Sequence, residues 1–214
     1  IRPEKTCAIP NGVPVTPPPD PDRRQTIRHR HGIAPKTILC GCVARLAPQK
    51  GLADLLAAFA QVRNSSRPDL HLWIVGDGPL RYSLEQLARR LQLAEAITFL
   101  GDRSDIPELL AALDLFIHPS LFEGMPHAVM EAMAAGVPTI ATPVDGVASL
   151  ISDGENGWTV PPKCPELLRA RILAALAEAQ HWPTIGARAR TTISERFSVE
   201  RMVAAYDHQL RGLL

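Results

Sequence analysis

The sequence predicts an α/β domain, a doubly wound parallel sheet of about six strands with helices on both faces and further helices at the C-terminus. Three observations support this fold class. Short apolar runs alternate with segments that carry Leu and Ala at helical spacing. The loops between them are short, which is typical of crossovers between parallel strands. The runs are apolar throughout rather than alternating, as expected for strands covered on both faces.

Strands and helices can be assigned in order from residue 37 onward. The predicted strands are short apolar runs that end at a Gly, a Pro or a polar residue, and they cover 37–43, 70–75, 97–100, 115–118, 138–141 and 158–160. The predicted helices repeat apolar residues every three or four positions, and they cover 51–63, 80–91, 105–113, 125–135, 165–180 and 199–210. Asp105 followed by Glu108 is typical of a helix start, and Gly136 of a helix end.

The first part of the chain has a different composition. Seven of the 20 Pro lie within the first 21 residues, three of them consecutively, which excludes a helix or a central strand there. We predict one short strand at 1–9 and an extended linker at 10–22. Residues 23–31 hold four Arg and two His, which favours a solvated short helix. A patch that binds phosphate or a partner is the alternative.

Length and charge limit the possible functions. The 214 residues suffice for one large domain or two small ones. The balance of 23 basic against 22 acidic residues gives a net charge of +1, which excludes a strongly cationic nucleic-acid binder and an acidic tail. We therefore expect no nucleic acid among the partners.

Cysteine usage and hydropathy predict a cytoplasmic protein. The four Cys residues are too scattered for a disulfide scaffold or a zinc site, so we interpret them as reduced thiols. No apolar run is long enough to cross a membrane, and no signal peptide opens the chain. Because the chain begins with Ile1 rather than Met, we expect it to be processed or to be a fragment of a longer protein.

Candidate functional residues follow the strands, because ligands of this fold class bind at the carboxyl ends of the strands. Arg45 and Lys50 lie in the loop after the first strand, immediately before a helix. Two cations beside a helix N-terminus form an anion site. Solvated loop charges are the alternative for these two residues taken alone.

The segment Gly76-Asp77-Gly78-Pro79 superficially resembles a dinucleotide fingerprint. The third glycine of that fingerprint is absent, since position 81 is Arg. We therefore predict a tight strand-to-helix turn here and no nicotinamide cofactor.

Two carboxylates stand out in and after the loop 119–126. Glu123 is placed at the lip of this loop, and Glu131 lies within the following helix, about 9 Å further along its axis. The two side chains are thus expected to reach different parts of one crevice, with simple exposure as the alternative for Glu131. His118 at a strand end is interpreted as a core histidine in preference to a catalyst, and His127 as exposed or near a ligand. Neither a nucleophile elbow nor a metal-ligand spacing occurs.

These features occur together, in a fixed order, in one known family. The chain resembles the C-terminal, donor-binding domain of the group 1 glycosyltransferases (glycosyltransferase family 4), which have the GT-B fold. Two glutamates separated by seven residues, with Arg45 and Lys50 upstream, are the most specific part of the resemblance. The matching segments cover nearly the whole chain, namely 9–13, 44–51, 75–79, 99–101, 114–120, 123–126, 131–138, 154–157 and 195–198.

The resemblance implies a UDP-sugar or GDP-sugar donor, transfer of a hexosyl group with anomeric retention, and neither a cofactor nor a catalytic metal. It assigns Arg45 and Lys50 to the donor diphosphate and Glu123, the catalytic carboxylate, to the transferred sugar. Glu131 is assigned to the ribose, and the backbone around Arg103 to the base. Without a metal, cations and backbone N–H groups must meet the charge of the leaving group.

Further donor-binding residues follow Glu123. The resemblance includes Gly124, Met125 and Pro126 among them, because the helix that begins near Met125 offers backbone N–H groups to the diphosphate. Pro126 lacks an N–H and removes one donor. The chain departs from the family in the loop 145–149, which has Asp for a common Gly and Ser for a common Glu, and at Pro14, where Asp is frequent. These departures bear on donor detail rather than on the family.

The resemblance also implies that the chain is half an enzyme. Residues 1–22 are then the end of an interdomain linker, 23–197 the donor-binding domain, and 198–214 a helix that crosses toward an N-terminal domain carrying the acceptor site. The family further suggests an unknown sugar or lipid-linked glycan as acceptor, bacterial carbohydrate synthesis, and peripheral contact of the N-terminal domain with the inner face of the membrane. A non-catalytic sugar-nucleotide binding module, a GT-B epimerase and a scaffold domain are the alternatives.

Overall fold

The computed structural model describes residues 7–15, 20–65 and 69–211. In this part of the chain six parallel strands form one sheet in the order β3-β2-β1-β4-β5-β6. The strands are β1 (Ile38–Val43), β2 (Leu70–Val75), β3 (Ile97–Gly101), β4 (Leu115–His118), β5 (Thr139–Ala141) and β6 (Trp158–Thr159). The order reverses between β1 and β4, and a doubly wound sheet opens a crevice at the carboxyl ends of its strands at such a point. The predicted fold class is confirmed.

Helices cover both faces of this sheet. Within the described residues they are α1 (Pro21–Arg30), α2 (Leu52–Asn64), α3 (Arg81–Arg90), α4 (Ile106–Ala112), α5 (His127–Ala134), α6 (Val147–Leu150), α7 (Pro165–Ala177), α8 (Trp182–Arg196) and α9 (Val199–Arg211). One apolar core lies between the sheet and α2, α3 and α7. The other lies between the opposite face and α1, α4, α5, α6 and α8. The strands are buried from both sides, which explains their continuous apolar sequences.

Two helices differ from the sequence prediction. Helix α8 was not predicted, because Pro183 and Gly186 are helix breakers and interrupt the helical repeat of apolar residues. Pro183 lies in the first turn, where its missing N–H leaves no hydrogen bond unmade. Gly186 packs so closely on the end of α5 that a Cβ atom there would lie 2.0 Å from the carbonyl oxygen of Gly136. The short helix α6 was also not predicted.

The N-terminal segment is not a strand where it is described. Of the strand predicted at 1–9, residues 1–6 lie outside the described part, and residues 7–9 have no regular structure. The linker predicted at 10–22 ends earlier, because α1 begins at Pro21. Val13 is buried and makes two backbone hydrogen bonds to the residues that flank Ser198. Its N–H donates to the carbonyl of Phe197, and its carbonyl accepts from the N–H of Val199. The segment before the domain therefore packs on the start of α9.

Helix α1 is mostly exposed, as predicted, but Ile27 and Arg28 are buried. Arg28 is only 3% exposed. Its guanidinium donates to the carbonyl of Ala112 and to Oδ2 of Asp114, both at 3.0 Å, and also to the carbonyl of Thr37. The prediction of solvation is wrong for this side chain, and because its guanidinium is already paired, Arg28 itself is not available to a phosphate.

Asp114, just before β4, connects α1 to the sheet. Its Oδ1 accepts from Arg24 at 2.5 Å, and its Oδ2 accepts from the backbone N–H of Leu39 in β1 at 2.7 Å as well as from Arg28. Arg23 pairs with Glu108 at 2.6 Å in a much more exposed position. The arginines of α1 therefore hold the helix against the amino-terminal edge of the sheet.

The last helix leaves its apolar side chains exposed. Val203, Tyr206 and Leu210 of α9 are each more than half exposed, and no residue of this helix is buried.

None of the described helices is long and apolar enough to cross a membrane.

We expect Asp114→Asn to destabilise the chain far more than Arg23→Ala. Loss of the Asp114 charge leaves Arg28 buried without a counter-ion, a change that costs about 3–5 kcal/mol in other proteins. The exposed pair of Arg23 and Glu108 contributes less than about 1 kcal/mol. Urea unfolding of both variants measures the difference, and equal losses in the free energy of unfolding would contradict the role given to Asp114.

Candidate functional site

A cleft of about 580 Å³ opens at the carboxyl ends of β1 to β4. This volume lies within the usual range for small-molecule sites. Six of the eight predicted site residues line the cleft, namely Arg45, Lys50, Arg103, Glu123, Met125 and Pro126. Gly124 and Glu131 are not among the lining residues. The cleft also contains His127, which was predicted to be exposed or near a ligand, and Asp77 and Asp102, for which the sequence predicted no binding role.

Backbone hydrogen bonds join the loops after β1 and β2 at the floor of the cleft. Ala44 donates to the carbonyl of Val75, and Leu46 to that of Asp77, both at 2.9 Å. Gly76 has φ +120°, and a Cβ atom there would lie 2.1 Å from the carbonyl oxygen of Ala44. Glycine is therefore required by close backbone approach, and the predicted tight turn is confirmed at this residue.

A second contact joins the loops after β1 and β4. Gly51 has φ +61°, and a Cβ atom on it would lie 2.1 Å from the carbonyl oxygen of Pro119. On the other side of the contact, Leu121 donates its N–H to the carbonyl of Gln49 at 2.8 Å. This approach places Lys50 beside Glu123, although 73 positions separate the two residues in the chain.

A third contact fixes the loop after β5 against the Glu123 loop. Gly146 donates its N–H to the carbonyl of Gly124 at 2.9 Å, and a Cβ atom on Gly146 would lie 2.3 Å from that oxygen. Asp145 has φ +40°, a left-handed conformation that Asp tolerates better than most residues. The departure from the family at Asp145 thus preserves a turn that Gly would otherwise form. Gly124 supports the loop through its backbone and does not face the cleft.

Glu123 is the most strongly bonded side chain of the site. Three groups contact its Oε1 atom: the Nζ of Lys50 at 2.5 Å, the Oγ of Ser120 at 2.6 Å and the Nε2 of His118 at 2.8 Å. Ser120 is itself fully buried, and its carbonyl accepts a hydrogen bond from the hydroxyl of Thr142. The position of this carboxylate is therefore determined by three elements of the fold.

The environment keeps Glu123 ionised. Burial alone would raise the pKa of its carboxyl, because a charge is less stable away from water. The hydrogen bonds from His118, Lys50 and Ser120 together outweigh burial and lower the pKa to about 2. Glu123 therefore carries a full negative charge across the neutral pH range.

The cations of the cleft differ in their pairing. Arg45 is exposed, and none of the carboxylates in the described ranges lies within ion-pair distance of it. Lys50 is paired with Glu123. Arg103 donates two hydrogen bonds to Asp105, at 2.8 and 2.5 Å, and these hold the pKa of that carboxyl below its usual value. Asp105 therefore pairs with Arg103 and makes no side-chain hydrogen bond to the start of α4.

Glu131 lies apart from Glu123, on the second turn of α5. It is half-buried, and burial raises the pKa of its carboxyl, an effect that the charge of His127 opposes. His127 is one helical turn earlier, lines the cleft, and contacts the side-chain amide of Asn11 at 3.1 Å. The predicted separation of the two carboxylates agrees with the structure, and the assignment of Glu131 to a ribose stays a prediction.

Two of the three partners of Glu123, His118 and Ser120, were not predicted to belong to the site. His118 is buried as predicted, at 1% exposure, but it contacts a functional carboxylate through Nε2. Ser120 and Thr142 received no role at all. The one available signal was the position of Ser120, three residues before Glu123 in a turn-rich loop. No group of three His, Cys, Asp or Glu side chains that could hold a metal ion occurs among the residues whose structure is described.

Comparison with known proteins identifies the family. A family model described as "Glycosyl transferases group 1" matches residues 23–192. The UDP-Gal:alpha-D-GlcNAc-diphosphoundecaprenol alpha-1,3-galactosyltransferase of Escherichia coli is 33% identical over 163 residues, covering 75% of this chain and 42% of the relative. The N-acetyl-alpha-D-glucosaminyl L-malate synthase of Bacillus anthracis is 29% identical over 181 residues, covering 85% and 47%. The chain thus spans less than half the length of these two curated relatives.

Solved structures agree with this result. HepE from Anabaena, crystallised with UDP and glucose, is 31% identical and has a TM-score of 0.91, covering 98% of this chain and 58% of HepE. A C-terminal domain of a group 1 glycosyltransferase from Francisella tularensis shares the fold, with 24% identity and a TM-score of 0.77, covering 88% of this chain and 100% of that domain. The chain therefore belongs to the group 1 glycosyltransferases and corresponds to their C-terminal domain, with the GT-B fold.

Proposed function

We propose that this domain binds a UDP-sugar or GDP-sugar and that the full-length protein transfers its hexosyl group to an acceptor, with retention and without a metal ion. The observation that carries the proposal is the ionised Glu123, held by three donors at the lip of a cleft that also contains the exposed Arg45. The relative from E. coli has UDP-Gal in its name, and HepE was crystallised with UDP. Both support a nucleotide-sugar donor.

In this proposal Arg45 and Lys50 hold the diphosphate. Arg45 is free to form two parallel hydrogen bonds with phosphate oxygens, a geometry that suits its planar guanidinium. Lys50 has three N–H donors and one strong bond to Glu123 at 2.5 Å, so it can bind a phosphate oxygen while keeping that bond. Positive charge at the leaving group replaces the charge that a metal ion would supply.

Glu123 acts at the sugar. A carboxylate near the anomeric carbon stabilises the positive charge that grows there as the diphosphate leaves. Its low pKa keeps it charged, and its three hydrogen bonds hold it in place before the reaction begins. Glu131 binds the ribose, and the backbone around Arg103 contacts the base.

The acceptor belongs to the part of the enzyme outside this chain. Some relatives have lipid-linked or lipid acceptors in their names, such as a diphosphoundecaprenol derivative in E. coli and a phosphatidylinositol monomannoside in Mycolicibacterium smegmatis. We propose a sugar or lipid-linked glycan as acceptor, reached by a cytoplasmic enzyme at the inner face of the membrane.

We expect Arg45→Ala to weaken the binding of UDP or GDP by about ten- to a hundredfold. Hydrogen bonds to charged groups contribute about 1.5–3 kcal/mol, which corresponds to this range of affinity. Calorimetry with each nucleotide measures the loss, and Arg90→Ala is the matched control, because Arg90 is an exposed arginine of α3 outside the cleft. Equal affinity of the wild type for nucleoside and nucleoside diphosphate would contradict a diphosphate site.

Kinetics of the full-length enzyme separate the two carboxylates. Glu123→Gln is expected to lower kcat by about 10²–10³ with little change in the donor KM, because it removes charge stabilisation that grows in the transition state. Glu131→Gln is expected to raise the donor KM with a smaller effect on kcat, because ribose binding is equally strong in both states.

A purely structural Glu123 gives a different result. If the carboxylate only fixes its loop, Glu123→Gln lowers the melting temperature and the donor affinity together and leaves kcat at saturating donor intact. Melting curves recorded beside the kinetics distinguish the two roles, and a reversed pattern for the two glutamates would overturn the assignment.

The 214-residue chain alone is expected to bind donor without transferring sugar. Its cores are complete, but it spans less than half the length of the curated relatives named above. Thermal shift with UDP and GDP tests binding, and product analysis by mass spectrometry and NMR tests transfer, retention and epimerisation in chain and full-length protein. Full-rate transfer by the chain alone would refute this division, and donor binding without turnover by the full-length protein would favour a binding module.

A further inference from the structure

His118 occupies an unusual position at the carboxyl end of β4. Its ring is almost completely buried and lies nearly parallel to that of Phe116, with centroids 6.1 Å apart. The Nε2 atom is 2.8 Å from Oε1 of Glu123 and 3.0 Å from Oγ of Ser120. The Nδ1 atom is buried and has no hydrogen-bond partner among the described residues. The ring therefore presents one edge to the site and the other to the interior.

These contacts determine which ring nitrogen carries the proton. Ionised Glu123 can only accept hydrogen bonds, so the contact at 2.8 Å is attractive only if Nε2 carries a hydrogen. A second hydrogen on Nδ1 would be a buried donor without an acceptor, which is costly. The geometry therefore favours a neutral ring protonated on Nε2.

We propose that His118 is a positioning residue for the transfer reaction: its neutral ring, protonated on Nε2, donates to Oε1 of Glu123 and fixes the orientation of that carboxylate toward the donor sugar. The inference rests on the proposed catalytic role of Glu123. His118 borders the cleft but is almost completely buried, so it acts through Glu123 rather than on the substrate.

The location of His118 suits this task. Lys50 must be shared between Glu123 and the phosphate of a bound donor, so its direction changes with the ligand. The ring of His118 is held on a strand by packing with Phe116 and is independent of the ligand. Ser120 adds a second fixed donor from the same loop as Glu123. Two rigid donors thus keep the carboxylate in place while the mobile cation engages the diphosphate.

Several other charged or titratable groups lie near Glu123 and His118. Lys50 and His118 contact Glu123 directly, and the thiol of Cys42 lies close enough to interact with it electrostatically. The other charged or titratable residues that line the same cleft are Arg45, Asp77, Asp102, Arg103 and His127, and those beside a cavity of about 10 Å³ next to the His118 ring are Asp54, Lys163 and Cys164. Burial raises the pKa of Cys42 to about 12, so this thiol does not titrate near neutral pH. Of these groups, only Lys50 and His118 contact Oε1 of Glu123 directly. Substitution of His118 therefore changes a direct contact of the carboxylate while the cation Lys50 stays in place.

Two substitutions separate positioning from packing. His118→Phe keeps a buried aromatic ring and removes the donor, whereas His118→Gln places an amide N–H where Nε2 stands. In the full-length enzyme we expect His118→Phe to lower kcat by about ten- to a hundredfold with little change in donor KM. Loss of the donor also raises the pKa of Glu123, so the acid limb of the kcat profile moves to higher pH. His118→Gln is expected to restore most of kcat and of the acid limb.

A purely structural histidine predicts the opposite pattern. His118→Phe would then keep the kcat and the pH profile of the wild type in its folded fraction, and His118→Gln would lower the melting temperature as much or more. That pattern overturns the proposal. If His118→Phe does not fold, His118→Met serves instead, since it also removes the donor and keeps an apolar side chain in the interior, and an unchanged kcat there also overturns the proposal.

A spectroscopic test is independent of activity. Nitrogen-15 NMR of the histidine-labelled 214-residue chain is expected to show His118 as the neutral tautomer protonated on Nε2 at pH 7, with the His118→Gln variant assigning the signal. A ring protonated on Nδ1, or on both nitrogens, refutes the proposal. If the tautomer is as expected but Glu123→Gln leaves kcat unchanged, the proposed role of Glu123 has failed and not the contact with His118.

Discussion

The backbone of the loop after β1 passes so close to the loop after β4 that only a residue without a side chain can stand at the crossing. Gly51 is that residue, and a Cβ atom on it would overlap the carbonyl oxygen of Pro119. The crossing places Lys50 against Glu123, and Gly76 and Gly146 make equivalent approaches on either side. The site is therefore built from loops of four strands held at fixed distances by backbone contact. Its geometry depends on the absence of three side chains as much as on the presence of the charged ones.

The charged groups that these loops bring together differ in their ionisation and pairing. Glu123 is ionised because three donors outweigh its burial, and this leaves a fixed negative charge at the lip. Arg45 stays exposed, whereas Lys50 is already bound to the carboxylate. A site of this kind is organised before the ligand arrives, and preorganised charges need little rearrangement during a reaction. The net charge of the chain, +1, conceals this local arrangement.

The opposite edge of the sheet serves stability. There Asp114 accepts hydrogen bonds from two arginines of α1 and from a backbone N–H of β1. Helix α1 is therefore held by ion pairs as well as by apolar packing. Near the end of the domain, Val13 pairs with the start of α9, and the N–H of Gly12 contacts the sulfur of Met202 at 3.3 Å. The chain thus enters the domain beside the helix with which it ends. The exposed apolar side chains of α9 lie on this same helix.

The sequence by itself determined the sheet, most of the helices of its crossovers and six of the residues that line the cleft. It could do so because short apolar runs and helical stripes are local patterns, and because Arg45, Lys50 and Glu123 stand in a recognisable order after strands. It concealed α8, since Pro183 and Gly186 break a helix by local propensity and are accommodated only by their place in the first turn and against Gly136. It also left Arg28 on a solvated helix, because the burial of a cation follows from a partner 86 positions away. Only the tertiary structure decided that Lys50, His118 and Ser120 meet on one oxygen of Glu123. The contact with Lys50 joins loops 73 positions apart, and the contacts with His118 and Ser120 depend on how the backbone turns after β4, so none of them leaves a periodic trace in the chain.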